Sequence, residues 1–239
     1  MRDAAYYARL DYSRWNRPTQ FVQRLIALLV RATMRVRVDG LERIPPSGPA
    51  IIAGNHLSLL DSVVVIPYLR RPVILLLAEE LRVWPWVAFV YGRLGNAIVV
   101  RRGSGDRRPV DLGAAVLHAG GIVAVAPEGR RSRTGGLERG RNGVARLAVR
   151  SGAPVVPVAI WGQERAAANW RRLRRVPVEV RFGAPRWFDD REAGEPADVT
   201  TQIMVEIARL LPREYRGVYA TEASAAGGRS GDRLRDSTP

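Results

Sequence analysis

Asn55–Asp61 reads NHLSLLD and places one of only two histidines five positions before an aspartate. An imidazole whose second ring nitrogen is held by a carboxylate serves as a general base near neutral pH. A regular helix turns about 500° over five residues, so His56 and Asp61 would not share a helical face. The pair becomes a dyad only if the chain bends, with His56 in a turn at a strand end and Asp61 in the first helical turn. The competing reading is a capping histidine followed by a helix N-terminal aspartate. The second histidine, His118, follows a helical pattern and precedes Ala119-Gly120-Gly121, where the helix dipole favours it. The two histidines stand far apart, so no metal cluster is expected.

The elements that must position the pair alternate in type. Ala50–Ala53, Val73–Leu77, Ala97–Val100, Ile122–Ala126, Val155–Ile160 and Val176–Phe182 are short apolar runs that read as buried strands, and Arg35–Val38 alternates as another. Helical patterns cover Ser62–Leu69, Pro109–His118, Gly140–Arg150 and Ala197–Leu211, with an aromatic helical stretch at Leu81–Tyr91. This predicts a single α/β domain with a mixed, largely parallel sheet flanked by helices. Pro18 opens a further helical pattern that runs to about Met34 and places Phe21, Leu25, Leu28, Leu29 and Ala32 on one face. Two readings fit it: a basic amphipathic element for a membrane surface, or a helix packed on its own domain. Residues 1–39 are therefore expected to form an N-terminal membrane-associating region, residues 40–220 the main domain, and residues 221–239 a disordered tail poor in apolar groups.

Composition removes several chemistries. The 239 residues contain no cysteine, which excludes disulfides and thiolate catalysis. All 38 basic residues are arginine, so a lysine Schiff base and a P-loop are excluded too. The net charge of +15 suits anionic lipid, a phosphorylated substrate or nucleic acid about equally. No signal peptide is visible, and no apolar run approaches the ~20 residues of a spanning helix. The arginines at 171, 172, 174 and 175 beside Trp170 read as a solvated charge run before a lipid or nucleic-acid site.

Ligand chemistry in α/β folds gathers at the carboxyl ends of strands. Three strand ends carry unusual polar residues: His56, Arg101, and the turn Glu128–Arg131. Read as one site, His56 is a base, Asp61 orients it, Arg101 and Arg131 supply fixed positive charge, and Glu128-Gly129 forms a tight turn beside a carboxylate. Two arginines near a base suit a substrate carrying a phosphate and a nucleophilic hydroxyl.

NHLSLLD resembles the NHxxxxD motif of the glycerolipid acyltransferases, the bacterial 1-acylglycerol-3-phosphate acyltransferases among them. Leu94–Arg101 (LGNAIVVR), Pro127–Ser132 (PEGRRS) and Val155–Ile160 (VVPVAI) are similar to the family's next three blocks, in family order, across about Gly40 to Pro185. The resemblance implies transfer of a fatty acyl group from acyl-CoA or acyl-carrier protein, as co-substrate and with no cofactor, to the hydroxyl of lysophosphatidate. It makes His56 the base and Asp61 its support. Arg101 and Arg131 would grip the phosphate, Glu128 and Gly129 would shape the pocket, and Asn55, Ser132 and Pro157 would be supporting residues. It places the protein on an anionic membrane surface, at the cytoplasmic face, without a transmembrane span and without nucleic acid. Three positions depart from the pattern. Val100 stands where Asp commonly precedes the arginine, Ala78 at the position of a lysine, and Arg130 at that of a threonine. They leave open another lysophospholipid, a glycolipid or an aminolipid as acceptor. A non-catalytic protein binding nucleic acid or anionic membrane is a more distant alternative, resting on charge alone.

Overall fold

The computed structural model of the chain describes residues 3–80, 97–101, 106–188 and 194–225. Seven strands form one sheet in the order β1-β7-β6-β2-β5-β3-β4: β1 (Met34–Asp39), β2 (Ala50–Gly54), β3 (Val73–Ala78), β4 (Ala97–Val100), β5 (Ile122–Val125), β6 (Val155–Trp161) and β7 (Val176–Phe182). β6, β2, β5, β3 and β4 are mutually parallel, whereas β7 runs antiparallel to β6 and β1 runs parallel to β7. Pairing of Ala53 with Val125 brings the carboxyl ends of β2 and β5 nearly level, while β6, whose Val158 pairs with Gly54, runs on past them to Trp161. The expected α/β fold with a mixed, largely parallel sheet is thus the observed one. The aromatic stretch Leu81–Tyr91 and the first residues of the second block, Leu94–Asn96, lie outside the described residues.

The central strands are apolar on both faces because both faces are covered. The first helices of the chain are α1 (Ala4–Ala8), α2 (Arg17–Thr33) and α3 (Asp61–Val65). Ile51, Ala53 and Val123 point into a core closed by helices α4 (Arg108–His118), α5 (Gly143–Ser151) and α7 (Pro196–Leu210), with Tyr7 of α1 and Tyr12 after it. Ala50, Ile52 and Ile122 point the other way, against Val64 of α3, Leu69 beyond it and Val30 of α2. This alternation at period two fixes the strand register, since a slip of one residue would exchange the two cores.

α2 opens as its sequence specifies. The Asn16 side chain accepts from Thr19 N at 2.9 Å and Pro18 occupies the first turn. Its orientation is less expected. The side turned to the domain carries Ile26 and Val30, with Gln23 donating to Ile66 O and Leu69 O, each at 2.9 Å. The stripe of Phe21, Leu25, Leu28 and Leu29 faces outward. β1 pairs along its whole length with β7, and the Tyr7 hydroxyl donates to Ala97 O at 2.9 Å. At the other end, Ala220–Ala225 is helical with Ala223 buried, and residues 226–239 of the expected tail lie outside the described residues.

Candidate active site

β2 ends at Gly54, and Asn55 fixes the exit. Its Nδ2 donates to Ile160 O and its Oδ1 accepts from Ile160 N, both at 2.8 Å. The amide replaces one more rung of the β2–β6 ladder, so the backbone can leave the sheet without stranding buried groups of β6. His56 follows, held at both ends of its peptide unit. Its N–H donates to Glu128 Oε1 at 2.9 Å, and its carbonyl accepts from Ser132 N at 2.8 Å. The chain bends through Leu57–Leu60 and turns helical at Asp61. The Asp61 carboxylate folds back into that bend, where it accepts from Leu57 N (3.0 Å, Oδ2) and Ser58 N (3.0 Å, Oδ1). That brings Oδ2 to 2.6 Å from His56 Nδ1. The bend required by the five-residue spacing is present. With Nδ1 taken by Asp61, Nε2 is the ring nitrogen left to act on a substrate.

Sequence reasoning missed a further partner of the carboxylate. Gln163 Nε2 donates to Asp61 Oδ1 at 2.8 Å, and Gln163 is completely buried, its own Oε1 having no protein partner. Gln163 starts the turn after β6. Gly162 before it adopts φ +98°, and a Cβ there would stand 2.2 Å from Pro177 O. Only glycine allows that corner, yet nothing local in the sequence ties residue 163 to residue 61.

Glu128 is 2% exposed and bridges two loops, accepting from His56 N and, through Oε2, from Glu138 N at 2.9 Å. Burial pushes its carboxyl above the usual range, while the donations from Glu138 and His56 pull the other way. Gly129 has φ +69°, and a Cβ there would meet the Arg141 side chain at 2.8 Å. Ser132 Oγ donates to Gly136 O at 2.6 Å and shapes the same loop. Pro157 sits in β6 at the point where the β7 pairing ends and packs against Gly183.

The predicted arginines separate. Arg101 leaves β4 at the rim of the cavity, with Nε donating to Glu79 Oε2 at 2.8 Å. Arg131 is exposed and is not part of the cavity wall, and the extra Arg130 is engaged by Glu138 at 2.6 Å. Arg141, which sequence reasoning passed over, lies on the wall beside Gly129, its N–H bonded to Pro127 O at 2.8 Å. The cavity encloses about 1290 Å³. His56, Asp61, Arg101 and Arg141 are among its walls at the carboxyl ends of the strands, and Val65, Ile66, Leu69, Val73, Leu75 and Leu77 make an apolar arm of its lining. Ala78, the position of the missing lysine, also faces this space. Among the described residues no group of acidic or histidine side chains is placed to hold a metal. A base at the mouth of a large apolar cavity rimmed by arginine can deprotonate the hydroxyl of an amphiphile that carries a negative headgroup.

Residues 35–161 match the family model described as Acyltransferase. A 1-acyl-sn-glycerol-3-phosphate acyltransferase of Borreliella burgdorferi is 28% identical over 131 residues, 54% of this chain and 52% of the relative. The human 1-acyl-sn-glycerol-3-phosphate acyltransferase alpha is 30% identical over 191 residues, 77% of this chain and 67% of the relative. A lyso-ornithine lipid O-acyltransferase of Pseudomonas aeruginosa is 32% identical over 57% of this chain and 51% of its own length. The chain thus spans between about half and two thirds of these relatives. The crystal structure of the 1-acyl-sn-glycerophosphate acyltransferase PlsC from Thermotoga maritima superposes with a TM-score of 0.62 over 85% of this chain and 84% of that one, at 23% identity, and so shares the fold. Four ordered motifs, a family model over more than half of the chain and the common fold lead to one assignment: the chain belongs to the glycerolipid acyltransferase family.

Proposed function

We propose that this protein transfers a fatty acyl group from an acyl thioester, acyl-CoA or acyl-carrier protein, to the hydroxyl of lysophosphatidate, giving phosphatidate. The observation that carries this reading is the His56–Asp61 pair at 2.6 Å on the wall of a cavity with an apolar arm and several arginines, Arg101 and Arg141 among them. Asp61 holds the ring with Nδ1 as donor, so Nε2 accepts the hydroxyl proton while the oxygen attacks the thioester carbonyl. The tetrahedral intermediate then expels the thiolate, which takes the proton back from His56. No acyl-enzyme is required. Arg101 and Arg141 supply the charge that would hold the acceptor's phosphate, and the arm lined by Val65, Ile66 and Leu69 suits a hydrocarbon chain.

The outer face of α2 supports action at a membrane surface. Phe21, Leu25, Leu28 and Leu29 are 48–69% exposed, an apolar stripe with Arg24 and Arg31 exposed on the same helix. Among the described residues no helix is long and apolar enough to cross a membrane. Two observations favour a second acceptor: a relative is named for lyso-ornithine lipid, and the second block here has Val100 in place of an acid. Purified protein given mixed lysolipids with acyl-CoA or acyl-carrier protein decides between them by mass spectrometry of the products. Phosphatidate as the main product supports the first reading, acylated aminolipid the second. No acylated product from any pair overturns both.

A further inference from the structure

The helix α6 (Ala166–Trp170) ends in a turn whose apex projects into solvent. Leu173 N donates to Trp170 O at 2.9 Å and Arg174 N to Asn169 O at 3.0 Å. This is the paired closure of a Schellman motif, in which the residue ahead of the last donor turns left-handed and is ordinarily glycine. Here it is Leu173, with φ +52° and 98% of its surface exposed. A left-handed leucine is unfavourable, and a leucine wholly in water recovers nothing by burial. Arg171, Arg172, Arg174 and Arg175 surround it, all exposed, and Trp170 is 40% exposed beside them.

The turn is also fastened to α2. Trp170 Nε1 donates to Thr33 O at 3.3 Å, and Arg175 donates to Met34 O at 2.7 Å and to Arg31 O. Val176 pairs with Met34 at the start of β7 and β1, and Glu179 pairs with Trp161 at the carboxyl end of β6. The turn therefore stands at the end of α2, on the edge of the sheet from which His56 emerges. An apolar apex within a ring of guanidinium groups, bolted to an apolar helix face, complements one surface: anionic lipid headgroups above a hydrocarbon layer. Nucleic acid would engage the arginines but gains nothing from the leucine.

We propose that the Trp170–Arg175 turn is a second membrane-contact element, inserting Leu173 into the bilayer interface while its arginines meet lipid phosphates, so that with α2 it presents the active-site end of the sheet to the membrane. The proposal rests on the membrane reading of α2, and the test separates the two. The chain has no cysteine, so Leu173→Cys offers a single labelling site. An environment-sensitive dye there blue-shifts and is shielded from iodide when vesicles of phosphatidylcholine with about 30% phosphatidylglycerol are added. Leu173→Gly weakens binding to the same vesicles roughly 3- to 10-fold while Tm rises, because glycine relieves the left-handed strain. Unchanged dye emission, vesicle binding by Leu173→Gly equal to that of the parent, or loss of binding together with a fall in Tm overturns the proposal. So does salt-sensitive binding of duplex DNA through the arginines without vesicle binding. Leu28→Ser probes α2: binding lost there but kept by Leu173→Gly removes this proposal alone, and a parent protein that ignores vesicles removes both.

Discussion

Asn55→Asp tests whether the exit from β2 is held as described. The substitution is nearly isosteric and leaves one oxygen to accept from Ile160 N at 2.8 Å. It replaces the donor to Ile160 O, also at 2.8 Å, with a carboxylate oxygen facing a carbonyl oxygen. Asn55 is 4% exposed and Ile160 2%, so water does not repair the loss. Leaving a buried acceptor unpaired costs about 1–3 kcal/mol, and burying the new charge adds to it. At neutral pH the variant should therefore be about 2–4 kcal/mol less stable than the parent. Once protonated, the introduced carboxyl is a donor again, so folding raises its pKa above the unfolded value. The donor's contribution is then fully present below the unfolded pKa of about 3.9 and is lost as pH rises through the higher folded one. Urea unfolding from pH 4 to 8, with the parent measured in parallel, should show a difference that widens with pH. A pH-independent difference, or one below about 0.5 kcal/mol throughout, would refute the reasoning.

Three further outcomes follow from the same cluster. Glu128→Gln keeps one of the two backbone acceptors and should cost about 1–3 kcal/mol. Because burial holds the Glu128 carboxyl above its ordinary value of 4.5, its stabilisation is full below that value and is lost as pH rises through the raised one. The difference between parent and Glu128→Gln should accordingly narrow with rising pH, and widening in urea titrations would contradict it. Gly162→Ala, with its Cβ at 2.2 Å from Pro177 O, should lower stability by about 3 kcal/mol or more; a chemical-denaturation midpoint like the parent's would refute the corner's geometry. Gln163→Leu should lower kcat about tenfold at little change in KM, by removing a buried donor to Asp61. With only two histidines in the chain, 15N-histidine NMR can show whether His56 alone is disturbed. A matching change at His118 would indicate general unfolding instead.

Much of this is legible in the sequence. The strands read as apolar runs because Ile51 and Ile52 bury on opposite faces, and the odd spacing of His56 and Asp61 itself required a bend. Arg101 and the Glu128 turn follow β4 and β5 directly in the chain, and the parallel pairing of β2, β5, β3 and β4 sets those strand ends on one side of the sheet. The orientation of α2 was not legible. Apolar residues occupy two of its sides, and the side with Ile26 and Val30 wins because Gln23 also caps the carbonyls of Ile66 and Leu69. Gln163 gave no signal, because its partner is 102 positions away and the contact depends on a glycine corner. The arginines of the third block were equally ambiguous in sequence. Glu138 selects Arg130, Arg131 turns to solvent, and Arg141 reaches the cavity from the loop before α5.

The account turns on His56 as the base, and single-turnover acyl transfer by the His56→Ala variant tests it most directly. Thiol release from an acyl thioester in the presence of lysophosphatidate should fall by roughly 10²- to 10⁴-fold, with the fold retained by circular dichroism and acceptor binding little changed. Transfer at the parent's rate by that variant would contradict the mechanism.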